Sequence, residues 1–191
     1  MRFLPRSTRH ARRLVAASLL LLACHFPAIA QSKPTQYEVK AAYLLNFAKF
    51  VKWPPAPPQE ETFQICLLGS DPYGAILPQT VGGERQEGKS IEVKRISTAK
   101  EAAGCRIVYV GSSEQSRLGA VLPILIEQHA LVVGDLPNFC ERGGVIGFVM
   151  EGDRVRFEVN LNAAQAAGLN MSSDLLRVAT SVKKSPGRGG R

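Results

Sequence analysis

Three short polar junctions, Gly69-Ser70-Asp71, Gly111-Ser112-Ser113 and Gly134-Asp135, each follow an apolar run. In a parallel sheet such strand ends lie on one carboxyl rim, where open α/β folds bind ligands and exposed helix N–H groups would suit a small anion. The same residues also suit a purely local role, in which glycine makes a tight strand exit and Ser or Asp caps the next helix. Both readings stand on the residues alone, so Ser70, Asp71, Ser112, Ser113 and Asp135 are candidate ligand-rim residues.

Catalysis has little to work with. His10 and His25 lie near the N-terminus, which leaves His129 as the sole histidine of the remaining chain. One histidine argues against a histidine-rich zinc site and makes any Ser-His-acid arrangement hang on a single side chain. Its place between a helical stretch and an apolar strand suits a helix C-terminus, where imidazolium is favoured. There is no Gly-rich Lys-Ser/Thr phosphate loop and no dinucleotide fingerprint. The expectation is a non-enzymatic protein with no catalytic residues, no metal and no cofactor.

Cys66, Cys105 and Cys140 have two readings. As inert thiols they pack inside strands. As a bridge, Cys66 and Cys105 would close a loop of about 40 residues, which chain entropy values at ~4 kcal/mol before strain. Geometry opposes the bridge if Gly69 and Gly111 align on neighbouring parallel strands. Cys66 then lies three residues before its glycine and Cys105 six before. That offset is roughly 10 Å at strand rise, whereas bridged Cα atoms stand within about 7 Å. Either the strands are staggered or the simple register is wrong.

The first thirty residues read as an export signal. Arg2, Arg6, Arg9, Arg12 and Arg13 make a basic start, an apolar run follows, and Ala28-Ile29-Ala30 is a small-residue cleavage site before Gln31. Cleavage after Ala30 would deliver the protein to the periplasm. Two rivals exist: a lipoprotein signal ending at Cys24, and a twin-arginine signal at Arg12-Arg13. The apolar run is too short for the ~20 residues of a bilayer span.

Removing the signal changes the charge. The whole chain is formally +8, and the five signal arginines bring this to +3 for the remainder. Lys183, Lys184, Arg188 and Arg191 sit in the last stretch, 181–191, so residues 31–180 carry only −1. The basicity is terminal and the folded part nearly neutral, which speaks against nucleic acid as a partner. Residues 181–191, rich in Gly, Ser and Pro, read as a disordered basic tail.

The elements that must position these residues follow from pattern. From Tyr37 the spacing predicts a helix with Val39, Tyr43, Phe47 and Phe50/Val51 on its apolar face and Lys40, Asn46, Lys49 and Lys52 opposite. Pro54-Pro55 ends it. Apolar strands are predicted at 62–68, 91–96, 106–110 and 130–133, alternating with helices at 73–80, 98–103 and 113–128. Strands at 145–150 and 155–160 form a β-hairpin around Gly152, and helices at 163–167 and 173–180 close the chain. The expected fold is one α/β domain over 31–180: a mainly parallel sheet flanked by helices on both faces, with the C-terminal hairpin at or near an edge.

The opening run AAYLLNFAKFVKWP (41–54) resembles the start of the YfiR family of exported bacterial regulators. So do 143–149 (GGVIGFV), 154–161 (RVRFEVNL) and 166–177 (AAGLNMSSDLLR), in that order, and the resemblance spans Tyr37 to about Ala179. It implies a periplasmic repressor that binds the periplasmic sensor domain of an inner-membrane diguanylate cyclase and so lowers cyclic-di-GMP and biofilm formation. It also implies release by an OmpA-like outer-membrane lipoprotein, and admits a homodimer. The family's first disulfide falls on Cys66 and Cys105. Cys140 matches one half of a second pair, but 141–150 holds no cysteine, so Cys140 is expected to be a free thiol, buried or able to link two chains. Partner contacts are expected from apolar residues of the first helix and the closing region, namely Phe47, Phe50, Trp53, Leu169, Met171 and Leu175. The alternative function is a periplasmic small-molecule sensor that uses the Gly-Ser-Asp rim and acts with a receptor or sensor kinase.

Overall fold

A computed structural model describes residues 33–55 and 61–184 of the 191-residue chain. The expected export signal with Cys24, and residues 185–191 of the expected tail, lie outside the described residues.

Helix α1 (Gln36–Phe50) starts at a capping box. The Thr35 hydroxyl accepts the Glu38 amide, and the Glu38 carboxylate accepts the Thr35 amide, so two otherwise unpaired donors are satisfied. The helix ends before the prolines because β1 (Val51–Lys52) peels away to pair antiparallel with β9 (Asn170–Met171). Its buried stripe is Lys40, Ala41, Leu44, Phe47 and Ala48. The apolar face is therefore rotated from the one predicted, and Lys40, expected on the polar side, is inside.

The remaining elements are β2 (Thr62–Leu68), α2 (Ile76–Val81), β3 (Arg85–Gln86), β4 (Lys89–Ile96), β5 (Cys105–Val110), α3 (Leu118–Glu127), β6 (Leu131–Gly134), β7 (Ile146–Glu151), β8 (Arg154–Asn160), α4 (Leu161–Ala166), α5 (Ser173–Val178) and β10 (Ser181–Lys183). Two predicted helices begin differently. Residues 98–103 give only a 3-10 turn, Ala99–Ala102, and 113–128 opens with a 3-10 segment, Ser112–Arg117, before α3. The α3 helix stops at His129, whose φ of 59° is left-handed, with Ala130 N–H reaching back to the Leu125 carbonyl.

The eight-stranded sheet runs β10-β8-β7-β6-β5-β2-β4-β3. Strands β4, β2, β5, β6 and β7 are mutually parallel, while β8 and β3 pair antiparallel with β7 and β4. Within the parallel set the sequence order is 2-1-3-4-5, a doubly wound arrangement whose direction reverses between β2 and β5. Helices cover both faces, as predicted, and the hairpin lies one strand in from the edge. That edge strand is β10, parallel to β8, so the expected disordered tail in fact begins with three ordered residues. Pairing with β8, together with the Thr180 amide on the Phe157 carbonyl, is what recruits them.

The α1 side of the core is aromatic. Phe47 stands edge-on to Phe157 at 5.1 Å and stacks on Phe148 at 6.0 Å, with Tyr43 closing the cluster 5.4 Å from Phe157.

A Cys66–Cys105 disulfide joins β2 to β5 with Cα atoms 5.9 Å apart. Leu68 pairs with Val110, so the two following glycines do align. The geometric objection fails because a bulge at Gln64/Ile65 shifts the register: Ile65 pairs with Ile107, yet Gln64 pairs with Cys105. The extra residue, Arg106, draws Cys105 one place closer to Cys66.

Candidate interaction surface

The predicted rim lies at the carboxyl end of the sheet, but its five residues do not converge. Ser70, Ser112 and Ser113 meet at the reversal between β2 and β5. The Ser113 hydroxyl accepts the Ser70 amide at 2.9 Å, the Ser70 hydroxyl accepts the Ser113 amide at 3.2 Å, and the Ser70 and Ser112 hydroxyls share a 3.0 Å bond. Glycine makes this clasp possible: a Cβ on Gly111 would stand 2.1 Å from the Ser70 carbonyl oxygen, and one on Gly69 2.3 Å from the Ser113 hydroxyl. The amides that an anion would need are thus engaged by the serines themselves.

The two aspartates serve elsewhere. One Asp71 oxygen accepts the Tyr73 and Gly74 amides, shaping the turn into α2, and the other binds Arg95. Asp135 turns beneath α1. It binds Lys40 Nζ at 2.9 Å and accepts the Tyr109 hydroxyl at 2.9 Å. Lys40 is only 4% exposed and lies over the Tyr37 ring. Tyr73 packs edge-on to Tyr109 at 5.0 Å, and burial, with the Asp135 charge acting in the same direction, pushes both phenols above their ordinary range. Pattern reasoning missed Lys40 because a lysine scores as polar. Its only signal was its place one turn before Leu44 and two before Phe47 and Ala48.

The apolar candidates separate by burial. Phe47, Leu169, Met171 and Leu175 are core residues. Trp53 is half-buried, its indole N–H on the Arg106 carbonyl at 2.9 Å and its ring edge-on to Phe63. Phe50 alone is exposed, at 40%. Of the six expected contact residues, Phe50 is thus the one with an open side chain. Phe47 and Leu175 nevertheless form the floor of a groove of about 350 Å³ between α1 and α5, with Phe50 and Val178 at its lip and Tyr43 and Phe157 within.

Four large apolar side chains are exposed among the described residues: Phe50, Met150, Val178 and Val182. All four share one face of the sheet. Met150 lies two residues along β7 from Phe148, which stacks on α1, and Val182 pairs with Val159, two residues from Phe157 on β8.

Cys140 is a free thiol, 2% exposed, with its sulfur 3.5 Å from the Glu158 carbonyl oxygen. Burial pushes its pKa up to about 12, so it remains protonated and unreactive at neutral pH. His129 Nδ1 bonds the Ala167 carbonyl at 3.0 Å, a contact just past the C-terminal end of α3. Among the described residues no three His, Cys, Asp or Glu side chains gather as a metal site, and no helix is long and apolar enough to cross a membrane.

A family model described as YfiR/HmsC-like matches residues 37–180. Among solved structures, a conserved domain protein from Vibrio cholerae superposes with a TM-score of 0.56 at 13% identity, covering 80% of this chain. The present chain spans 62% of that protein's length, and at this identity the likeness concerns the fold alone. Two weaker likenesses, each at TM-score 0.46, are the ABC domain from Streptococcus pneumoniae solved with L-Trp and a substrate-binding protein with adhesive properties from Clostridium difficile. Their identities are 13% and 17%. They cover 65% and 76% of this chain and 56% and 59% of their own.

Proposed function

Because this chain belongs to the YfiR/HmsC-like family of periplasmic regulators, we propose that it represses an inner-membrane diguanylate cyclase by binding that enzyme's periplasmic sensor domain. The observation that supports this most is the groove between α1 and α5, lipped by the exposed Phe50 and Val178, on the sheet face that also carries the exposed Met150 and Val182. An apolar lip over a preformed aromatic floor is the usual anatomy of a protein contact. Repression follows if the regulator binds the inactive state of the sensor domain more tightly than the active one, since only differential affinity shifts that equilibrium. An OmpA-like outer-membrane lipoprotein would relieve repression by occupying the same face. Export by a signal cleaved after Ala30 belongs to this proposal.

Deleting the gene should raise cyclic-di-GMP and surface attachment, and loss of the cyclase as well should cancel both effects. Phe50→Asp with Val178→Asp should abolish capture of the purified sensor domain while leaving the melting temperature within a few degrees. Unchanged nucleotide levels in the deletion strain would overturn the reading.

A further inference from the structure

An open surface pocket of about 640 Å³ lies away from the apolar groove, between the 3-10 turn Ala99–Ala102 and the first turns of α3. Its volume suits a small molecule, for which sites of roughly 300–1,000 Å³ are typical. Ala99, Val121 and Ile124 supply an apolar wall. At its base is Glu114, a carboxylate only 2% exposed that packs above Gly69, beside the point where the strand order reverses.

The charges are arranged for an anion. Both Glu114 oxygens accept Arg117 Nη2 at 2.8 Å, and one also takes the Ser113 hydroxyl at 3.4 Å. That bond fixes the guanidinium at the cavity while its side chain stays 58% exposed. A guanidinium carries five donors in a rigid fork, and those on Nε and Nη1 have no partner among the described residues. Lys100 is exposed, lines the same cavity and makes no ion pair among the described residues. Glu114 neutralises Arg117, so Lys100 leaves the lining with one net positive charge. Glu101, next to Lys100 but outside the lining, keeps its negative charge while accepting the Thr98 hydroxyl at 2.8 Å and the Ser97 amide.

We propose that this cavity binds a small monocarboxylate with an apolar body. Arg117 and Lys100 take the carboxylate, the chain or ring of the ligand lies on Ala99, Val121 and Ile124, and Glu114 acts as a positioning residue that holds Arg117. A buried carboxylate spent on orienting an exposed arginine is the feature that ordinary packing does not require. The site is independent of the partner-binding face around Phe50.

Calorimetric titration of the full chain with octanoate, and separately with octylamine, tests this. Octanoate should bind saturably and octylamine should not. Lys100→Gln should weaken octanoate roughly tenfold, the loss expected for one charge-assisted contact. Ala120→Phe should fill the space and abolish binding. Amide shifts at Ala99, Val121 and Ile124 on adding octanoate to the unmutated protein would locate the ligand without any variant. Absence of saturable octanoate binding, equal binding of the amine, or shifts confined to Phe50 and Val178 would each overturn the proposal.

Discussion

The sulfur of Cys140 lies 3.3 Å from the point where a Cβ on Gly147 would stand. That is close to the separation between a Cβ and the far sulfur of a disulfide. In the family resemblance Cys140 is half of a pair whose partner is missing from 141–150, and Gly147 on β7 is the position that faces it.

Gly147→Cys should therefore close a second bridge to Cys140 without moving the backbone. Thiol titration of the unfolded, unreduced variant should find no free thiol among Cys140 and the new cysteine. The short loop should stabilise the fold by roughly 2 kcal/mol in the chain-entropy picture. Two titratable thiols in the oxidised variant would show that the facing geometry is wrong.

Replacing Cys66 and Cys105 together by alanine should destabilise the domain by up to ~4 kcal/mol, a drop in melting temperature of roughly 10 °C for a domain of this size. Cys140→Ser should be nearly silent, because a serine hydroxyl can donate to the Glu158 carbonyl that the thiol now approaches. Thermal melts of the three proteins under oxidising conditions make the comparison.

Lys40→Met should be more harmful than its chemistry suggests. It leaves Asp135 without its cation, a loss of about 3 kcal/mol, near the low end for a broken buried pair because Asp135 keeps some access to water. The double variant Lys40→Met with Asp135→Leu should recover much of that stability. Denaturant unfolding of both variants decides whether the pair acts as a unit.

Stability should fall on the alkaline side. The Cys140 thiol ionises near 9 when unexceptional and at about 12 in the fold. Between these values the folded state holds the extra proton, so raising the pH through that window favours the unfolded chain. Tyr73 and Tyr109, both raised by burial, act in the same direction at higher pH. Melts from about pH 7 to about pH 11 should show the decline, and Cys140→Ser should soften its onset.

Gly111→Ala should cost more than the usual surface substitution, roughly 3 kcal/mol, because its Cβ would collide with the Ser70 carbonyl rather than with a side chain that can swing away. Gly119→Ala, with open space around it, should be tolerated and serves as the control in the same unfolding assay.

Much of this protein was legible in its sequence. Alternation of short apolar strands with helical stretches implied a parallel α/β sheet, since strands buried on both faces need continuous apolar runs and helical crossovers. The turn residues around Gly152, followed by the alternating segment 155–160, implied the hairpin. The family's ordered motifs pointed to the YfiR-like family of periplasmic regulators, whose model matches residues 37–180. These are local signals, carried by period and residue type within one element.

What only the tertiary structure decided depends on neighbours distant in the chain. The bulge before Ile65 that lets Cys66 reach Cys105 is a property of two paired strands, and no single strand encodes it. The rotation of α1 that buries Lys40 required Asp135, almost a hundred residues later, to supply the opposite charge. Leu169 and Met171 read the same as Val178 by type, yet the first two are buried and the third is exposed. Burial is a relation between surfaces, and a linear pattern cannot say which apolar side chains will find a partner within their own chain.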